Sequence, residues 1–226
     1  MIQDQIDKTL QELSQSRKPI EKSRVSKTSN GYIFLISWSN ANLLRVLVKK
    51  FTNNFPKSLY RLKNQMDDAA RSVVANIEEG FARSTTAEYI KFLGFSRASL
   101  IEVKGDIQRC LQDGILKLIP DSSLKNLGID LLKWHEALKQ SVISRPMEFK
   151  GTYRNLEETR AGVLSSDPLI SFKYLYDSVD NLIVNNLTYE IFIELINKTD
   201  WNIRKLVESL ERKLNQDKKL RYNKFL

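Results

Sequence analysis

Four polar side chains in the first half of the sequence have the types that acid and base chemistry requires. They are Asn76, Glu79, Arg83 and Glu102. In an enzyme the carboxylates would act as acid and base, and the amide or guanidinium would hold an oxyanion. The first three lie around the predicted end of a helix, where they can satisfy exposed backbone carbonyls, and Arg83 is placed to pair with Glu102 on the next helix. We interpret all four as structural residues and predict no catalytic site.

Metal and nucleophile chemistry lacks a suitable set of residues in this sequence. His135 is the single histidine and Cys110 the single cysteine, whereas zinc sites combine several such ligands and di-iron bundles need paired Glu-x-x-His units. A glycine-rich phosphate loop and an HExxH helix are absent as well. Cys110 falls on a core-facing helical position, which is typical of a small buried hydrophobe. We therefore predict a protein that is not an enzyme and that binds no metal and no cofactor.

The helix that carries Asn76 and Glu79 is predicted from the spacing of its apolar residues. These residues recur at spacings of 4, 3, 4 and 4 and form one stripe: Leu62, Met66, Ala69, Val73 and Ile77. Gly80 is predicted to end the helix in the left-handed conformation. Thr85 and Glu88 form a capping box for the next helix. The short connection predicts an antiparallel hairpin.

The next predicted helix, at about 86–112, carries two stripes. Its core-facing residues alternate spacings of 4 and 3: Tyr89, Leu93, Ser96, Leu100, Val103, Ile107 and Cys110. A second stripe comprises Ile90, Gly94, Ala98, Ile101 and Gly105. A glycine inside a helix costs about 1 kcal/mol relative to alanine, so two on one stripe indicate either close approach of another backbone or merely tolerated glycines. The approaching partner would be a neighbouring subunit or the C-terminal part of the chain.

The whole chain is predicted to be all-α, because its 226 residues hold only 8 Gly and 5 Pro. Residues 1–30 are an N-terminal appendage, with an amphipathic stretch (Ile2, Ile6, Leu10, Leu13) and a linker. Residues 31–144 form an antiparallel up-down four-helix bundle, whose first and fourth helices cover about 39–53 and 124–138. A linker at 145–165 leads to a helical hairpin with a basic tail at 166–226, which turns near 185–188.

A longer pattern surrounds the helix-end motif. Gln65, Met66, Ala69 and Ala70 precede the run Asn76-Ile77-Glu78-Glu79-Gly80-Phe81-Ala82-Arg83, and Glu88, Tyr89, Ile90, Phe92 and Leu93 follow it. Residues 31–138 thereby resemble the bacterial four helix bundle protein family, most of whose members read Asn-Ile-Ala-Glu-Gly here. The family includes proteins of ribosomal RNA intervening sequences and accessory variability proteins of diversity-generating retroelements. The resemblance implies a basic homo-oligomer that works with a reverse transcriptase and its RNA, and residues 166–226 resemble the family's C-terminal suffix region.

Basic residues supply the functional prediction. The net charge is +9 and the pI is about 9.5, which is the electrostatic footprint of a nucleic-acid binder. The candidate RNA- or DNA-binding residues are Lys49, Lys50, Arg61, Lys63, Arg71, Arg83, Lys91 and Arg97. Asp67 and Asp68 stand where many family members have two arginines, which removes part of such a surface. We predict a non-enzymatic nucleic-acid-associated accessory protein; the alternative is an oligomeric helical scaffold whose charge serves solubility.

No stretch of the sequence is apolar enough to span a bilayer, since the longest apolar runs are far shorter than about 20 residues. The first residues lack the basic, apolar and small-residue regions of a signal peptide. The sequence therefore predicts a cytoplasmic protein that makes no membrane contact.

Overall fold

The computed structural model describes residues 30–143, 179 and 181–222. The helices are α1 (Ile36–Thr52), α2 (Tyr60–Ala82), α3 (Thr86–Gln112), α4 (Leu131–Ile143) and α5 (Tyr189–Tyr222). Short 3-10 turns lie at Gly31–Phe34, Lys57–Leu59, Leu124–Leu127 and Val184–Asn186. The described residues form no strand beyond one isolated bridge between Lys117 and Thr188. The all-α prediction is confirmed, and none of the described helices combines the length and apolar character needed to cross a membrane.

Helix α1 lies at the centre of the described bundle. It packs against α2, α4 and α5, so even its polar residues Ser37, Ser39, Asn40 and Asn42 are buried. The sequence permits this because Arg45 is the only charged residue between positions 31 and 48. Helices α2 and α3 form an antiparallel hairpin along one side, and the predicted core stripes of both helices are buried or half-buried.

The C-terminal helix covers the side of the bundle between α1 and α3. The buried residues of α5, including Ile191, Phe192 and Leu195, belong to the same hydrophobic core as those of α1, and the rings of Phe192 and Phe51 lie 5.6 Å apart. The sequence predicted that the helix at about 124–138 would occupy this position as the fourth helix of the bundle. Helix α4 has 13 residues, or about 20 Å, whereas α3 has 27, or about 40 Å. The 34 residues of α5, about 51 Å, are enough to cover the full length of α3.

Polar contacts also fasten α5 to the connection that follows α3. The backbone N–H of Ile119 donates to Glu190 Oε2 at 3.1 Å, and that of Leu124 donates to Glu194 Oε2 at 2.8 Å. Further along, Arg97 Nε donates to Asp200 Oδ1 at 2.8 Å. Because Lys117 meets the start of α5 and Arg97 meets its middle, α5 runs antiparallel to α3. The predicted division into domains stays a prediction; its linker at 145–165 lies outside the described residues, as does most of the hairpin's first helix.

Helix α4 packs on α1 through Trp134, whose Nε1 donates to the backbone oxygen of Ser39 at 2.7 Å. The neighbouring His135 is buried. Burial lowers its pKa, and Lys139 one turn away lowers it further. The imidazole is therefore neutral at pH 7, as expected for a histidine that packs against a core.

Gly80 does not end α2, which corrects the prediction of a left-handed terminus. The helix continues to Ala82 and ends at Arg83, which is extended with φ −68° and ψ 147°. A Cβ atom at Gly80 would lie 2.7 Å from Phe92 Cβ and 2.8 Å from Tyr89 Cδ2, so glycine is required because α3 approaches closely. The predicted capping box of α3 is confirmed, since Glu88 N donates to Thr85 Oγ1 at 3.2 Å.

Two glycines of the α2–α3 hairpin are expected to respond to alanine with opposite signs. Gly80→Ala should lower the free energy of unfolding by about 1–3 kcal/mol, because the added methyl group overpacks the contact with α3. Gly94→Ala is the matched control. Apart from the backbone of its own helix, no described atom lies within 4 Å of its Cβ position. In a monomer only helix propensity therefore changes, and at protein concentrations where the chain is monomeric the free energy of unfolding should rise by up to about 1 kcal/mol. Urea unfolding of both variants checks this; equal effects would refute the close-contact explanation of Gly80.

Candidate nucleic-acid interface

One continuous segment of the chain carries positive charge without any negative charge. Residues 31–66 contain six basic residues and neither Asp nor Glu. The basic residues are Arg45, Lys49, Lys50, Lys57, Arg61 and Lys63. This segment builds α1, the turn after it and the first turns of α2. All of them except Arg45 therefore gather where α1 ends and α2 begins, and we call Lys49, Lys50, Lys57, Tyr60, Arg61 and Lys63 the basic end.

The side chains of the basic end are presented to solvent. Lys49, Lys57 and Arg61 are exposed, and within the described part of the chain none of the three has a carboxylate partner. Tyr60 is 66% exposed beside Arg61. An exposed aromatic ring among cations can stack on a nucleic-acid base while the cations contact phosphates. Tyr60 was missed by sequence reasoning, although an aromatic residue flanked by basic residues was a visible signal.

The backbone at the start of α2 adds to this positive potential. Its N-cap residue is Leu59, which makes no side-chain cap, and the first turn holds no acidic residue. The 3-10 turn Lys57–Leu59 runs directly into α2, and the N–H groups of Leu59 and Tyr60 donate to Pro56 O and Lys57 O. The helix dipole at this terminus favours a phosphate or another anion. Lys57 and Arg61 flank this terminus in the sequence.

Lys63 serves the turn itself more than the surface. Its Nζ lies 2.7 Å from Asn53 Oδ1 and 3.2 Å from Asp67 Oδ2. Asp67 also accepts from Thr52 Oγ1 at 2.7 Å. The charge of Asp67 is thus neutralised by Lys63 within the turn, while Asp68 faces solvent. Of the two aspartates that replace arginines of the family pattern, one therefore organises the basic end.

The other predicted binding residues lie elsewhere. Arg61 and Arg83 are 22 positions apart along α2, which corresponds to about 33 Å, so Arg83 and Lys91 belong to the opposite end of the bundle. The Arg83 guanidinium lies 4.2 Å from the Phe92 ring centroid, and Arg97 is paired with Asp200. Arg71 is exposed on α2 between the two ends. The eight predicted residues do not form one patch; only Lys49, Lys50, Arg61 and Lys63 lie together.

The structural roles of the helix-end motif need one correction. Asn76 Nδ2 donates to the backbone oxygen of Ser72 at 2.8 Å, within its own helix. Arg83 pairs with Glu79 at 3.6 Å rather than with Glu102. Glu102 is exposed and lies 16 residues beyond Thr86, or about 24 Å along α3, so Arg83 cannot reach it. No acid and base pair is therefore assembled from these four residues.

Sequence reasoning missed two partly or fully buried carboxylates. Trp38 Nε1 donates to Glu78 Oε1 at 2.7 Å, which fastens α1 to α2. Burial raises the pKa of Glu78 against the lowering effects of that hydrogen bond and of Arg45. Asp106 is fully buried on α3; Gln65 Nε2 donates to it at 3.2 Å and Arg109 Nη2 at 2.6 Å. Gln65 in the family pattern was the one available signal for this contact.

Thiol and metal chemistry receive no support from the described residues. Burial, reinforced by Asp106, raises the pKa of the Cys110 thiol to about 11, and its Sγ lies 3.9 Å from Met66 Sδ. The thiol is therefore protonated and packed in the core. Among the described residues no group of three or more His, Cys, Asp or Glu side chains could hold a metal ion. The exposed cations of the basic end, in contrast, suit binding of an anionic surface.

The described architecture defines an all-α helical-bundle protein with one basic end. Residues 34–134 match the model of the 23S rRNA-intervening sequence protein family, and over these residues the chain is similar to that family. The match extends from the turn before α1 to Trp134 in α4, so α5 lies beyond it. No curated protein and no solved structure matches the chain.

Proposed function

We propose that the protein is a cytoplasmic, non-enzymatic accessory protein that binds nucleic acid through its basic end. The observation that carries this proposal is the 36-residue segment without a negative charge, which folds into one exposed group of cations. Phosphate backbones bind such groups because condensed counterions are released. The family description, which refers to an intervening sequence of 23S rRNA, favours RNA over DNA.

The proposed mode of binding follows from the residues at the basic end. Phosphates are contacted by Lys49, Lys57 and Arg61, and Tyr60 stacks on an unpaired base. Nothing in this group offers paired donors and acceptors in a fixed geometry for base edges, so sequence preference is weak. A reverse transcriptase is the corresponding candidate protein partner, and that part of the proposal rests only on the resemblance to retroelement accessory proteins.

Self-association is part of the proposed function. The outward face of α3 carries Gly94, Phe95, Ala98, Ile101 and Gly105, with Ile101 63% and Phe95 45% exposed. The contacts of α5 with α3 involve Arg97 and Lys104 instead. The sequence left two candidates for the element that packs on this glycine stripe, a neighbouring subunit and the C-terminal part of the chain. These contacts favour a neighbouring subunit over α5. An oligomer would present several basic ends to one nucleic acid; without nucleic-acid binding, the same face supports the scaffold alternative.

The experiment that tests nucleic-acid binding is a salt titration of the full chain with a labelled RNA hairpin, followed by fluorescence anisotropy. The slope of log K against log salt should be about −0.7 to −0.9 for each phosphate neutralised, so four to six contacts give a slope near −4. Single-stranded and duplex probes of unrelated sequence should differ little. If neither binds at roughly 50 mM salt, the scaffold alternative is correct and protein partners become the target.

The α3 face is tested by the mass of the particle in solution. Light scattering should give a multiple of 26.2 kDa for the wild-type chain. Ile101→Glu should reduce it to 26.2 kDa, since it places a charge in the apolar contact. Leu132→Glu is the matched control, because Leu132 is 67% exposed on α4. Equal masses for wild type and Ile101→Glu would exclude this face as the contact.

A further inference from the structure

The turn between α1 and α2 is closed by a group of polar contacts around one lysine. Lys63 Nζ donates to Asn53 Oδ1 at 2.7 Å and to Thr52 Oγ1 at 3.3 Å. It also lies 3.2 Å from Asp67 Oδ2, and Thr52 Oγ1 donates to Asp67 Oδ1 at 2.7 Å. Two of these residues lie at the end of α1 and two on α2. We call Thr52, Asn53, Lys63 and Asp67 the turn clamp, because they join the two helices directly.

The turn clamp is largely shielded from water. Thr52 is fully buried, and the side chains of Lys63 and Asp67 are only 25% and 26% exposed. Shielding from water strengthens polar contacts, whereas an ion pair between freely exposed side chains contributes little. The turn clamp therefore restrains how the end of α1 lies relative to the start of α2.

The exposed cations of the basic end come from both sides of the turn clamp. Lys49 lies one helical turn before Asn53 on α1, whereas Lys57 and Arg61 belong to the connection and to the first turn of α2. All three are exposed, and none has a carboxylate partner within the described residues. The distance between the charges of α1 and those of α2 is therefore set by how the two helices lie, not by contacts of the three side chains.

A fixed distance between these charges favours binding to a phosphate backbone. A surface that must become ordered at the moment of binding loses affinity through the entropy of ordering, and a preformed surface avoids that loss. Lys63 is itself less available to a phosphate, because three polar groups of the chain already hold its ammonium. The chain thus uses one cation inside the turn, where it fixes the position of the others.

We propose that Thr52, Asn53 and Asp67 are positioning residues for nucleic-acid binding. By holding Lys63 they fix Lys49 relative to the cations of α2, so that phosphates meet a preformed surface. This role rests on the proposed binding at the basic end, and it belongs to residues that do not themselves contact the nucleic acid.

The double variant Thr52→Val with Asn53→Ala tests the positioning role, because it removes the α1 side of the turn clamp and changes no charge. In the anisotropy titration with the labelled RNA hairpin, affinity should fall about three- to tenfold, since binding must now order the turn. The slope of log K against log salt should change by less than about 0.5, because the number of cations is the same. Partial unfolding would instead lower the fraction of molecules that bind, which a stoichiometric titration measures.

The order of the turn is measured on the free protein by ¹⁵N relaxation. Backbone amides of residues 53–61 should have order parameters of about 0.85 in the wild-type chain and values falling toward about 0.6 in the double variant. If the double variant does not fold, Asn53→Ala alone removes the shortest contact of Lys63 at an exposed position. It should show smaller changes of the same kind.

The matched control is Thr199→Val with Asn202→Ala, which removes the same two chemical groups from α5. Their side chains donate only to backbone oxygens of their own helix, those of Leu195 and Lys198. RNA affinity should therefore change by less than about twofold, which is below the smallest loss expected when binding must order a side chain.

Three results would overturn the positioning role. Wild-type affinity in the clamp variant, or unchanged order parameters in the turn, would do so while leaving binding at the basic end intact. An equal loss of affinity in the α5 control would show that destabilisation alone explains the effect. A wild-type chain that binds no RNA at roughly 50 mM salt would refute the proposed function and the positioning role together.

Discussion

Phe192→Asp is expected to unfold the entire bundle. Phe192 is fully buried, lies 5.6 Å from the Phe51 ring and belongs to the core that α5 shares with α1. Burying an unpaired carboxylate there while removing an aromatic ring should cost more than about 5 kcal/mol. That loss is comparable with the whole stability of a typical domain, about 5–15 kcal/mol. Circular dichroism at 25 °C should show loss of helix, and thermal scans should show no cooperative transition.

Trp201→Asp provides the matched control on the same helix. Trp201 is 53% exposed, so replacing its ring by a carboxylate should change stability by about 1 kcal/mol or less. The comparison also tests the domain division predicted from sequence. If residues 31–144 are an independent domain, Phe192→Asp will leave a cooperative transition of the bundle intact. A single lost transition supports one folding unit that includes α5.

Reversing three charges at the basic end is expected to remove most RNA affinity. The variant combines Lys49→Glu, Lys57→Glu and Arg61→Glu, three exposed residues without carboxylate partners in the described part of the chain. Each lost phosphate contact removes one counterion-release contribution, so at 100 mM salt affinity should fall about 100- to 1,000-fold. The slope of log K against log salt should become shallower by about 2 to 3. Anisotropy titrations at several salt concentrations measure both quantities.

A second triple variant separates local contact from net charge. Lys91→Glu, Lys133→Glu and Lys213→Glu change the net charge equally at three exposed residues away from the basic end. Binding at the basic end predicts a loss of less than about tenfold for this control, since long-range attraction is largely screened at 100 mM salt. Equal losses in both variants would mean that overall charge alone drives association.

Much of the helical structure was predictable because its signals are local. The α2 stripe and the α3 seam from Tyr89 to Cys110 follow the 3.6-residue period, and both are buried or half-buried in the structure. The Thr85–Glu88 capping box needs only residues three apart. The family pattern at 65–93 agrees with the match over residues 34–134. These features depend on neighbours within one or two helical turns.

The candidate site was predictable only in part. The sequence shows which residues are charged, and the four at the basic end lie close together because they share one hairpin. It does not show that Lys63 is occupied by Asn53 and Asp67, or that Arg97 is paired with Asp200 across 103 positions. A cation that is paired within the chain is less available to contact a phosphate, and residue spacing alone does not show such pairs.

The sequence by itself thus determined that α2 and α3 are helical, where α3 begins and which stripe each of the two buries, because those properties depend on contacts within one or two helical turns. It placed the start of the fourth helix near 124, whereas Leu124–Leu127 is a separate 3-10 turn and α4 begins at Leu131. Only the tertiary structure decided that α5 rather than α4 covers the side between α1 and α3, that Gly80 is a contact point with α3, and that Gln65 and Arg109 hold the buried Asp106. These outcomes depend on helix lengths and on the fit of surfaces that are distant in the chain. More than one amphipathic helix could pack between α1 and α3. The helix that buries the most apolar surface there without steric clashes gives the most stable fold.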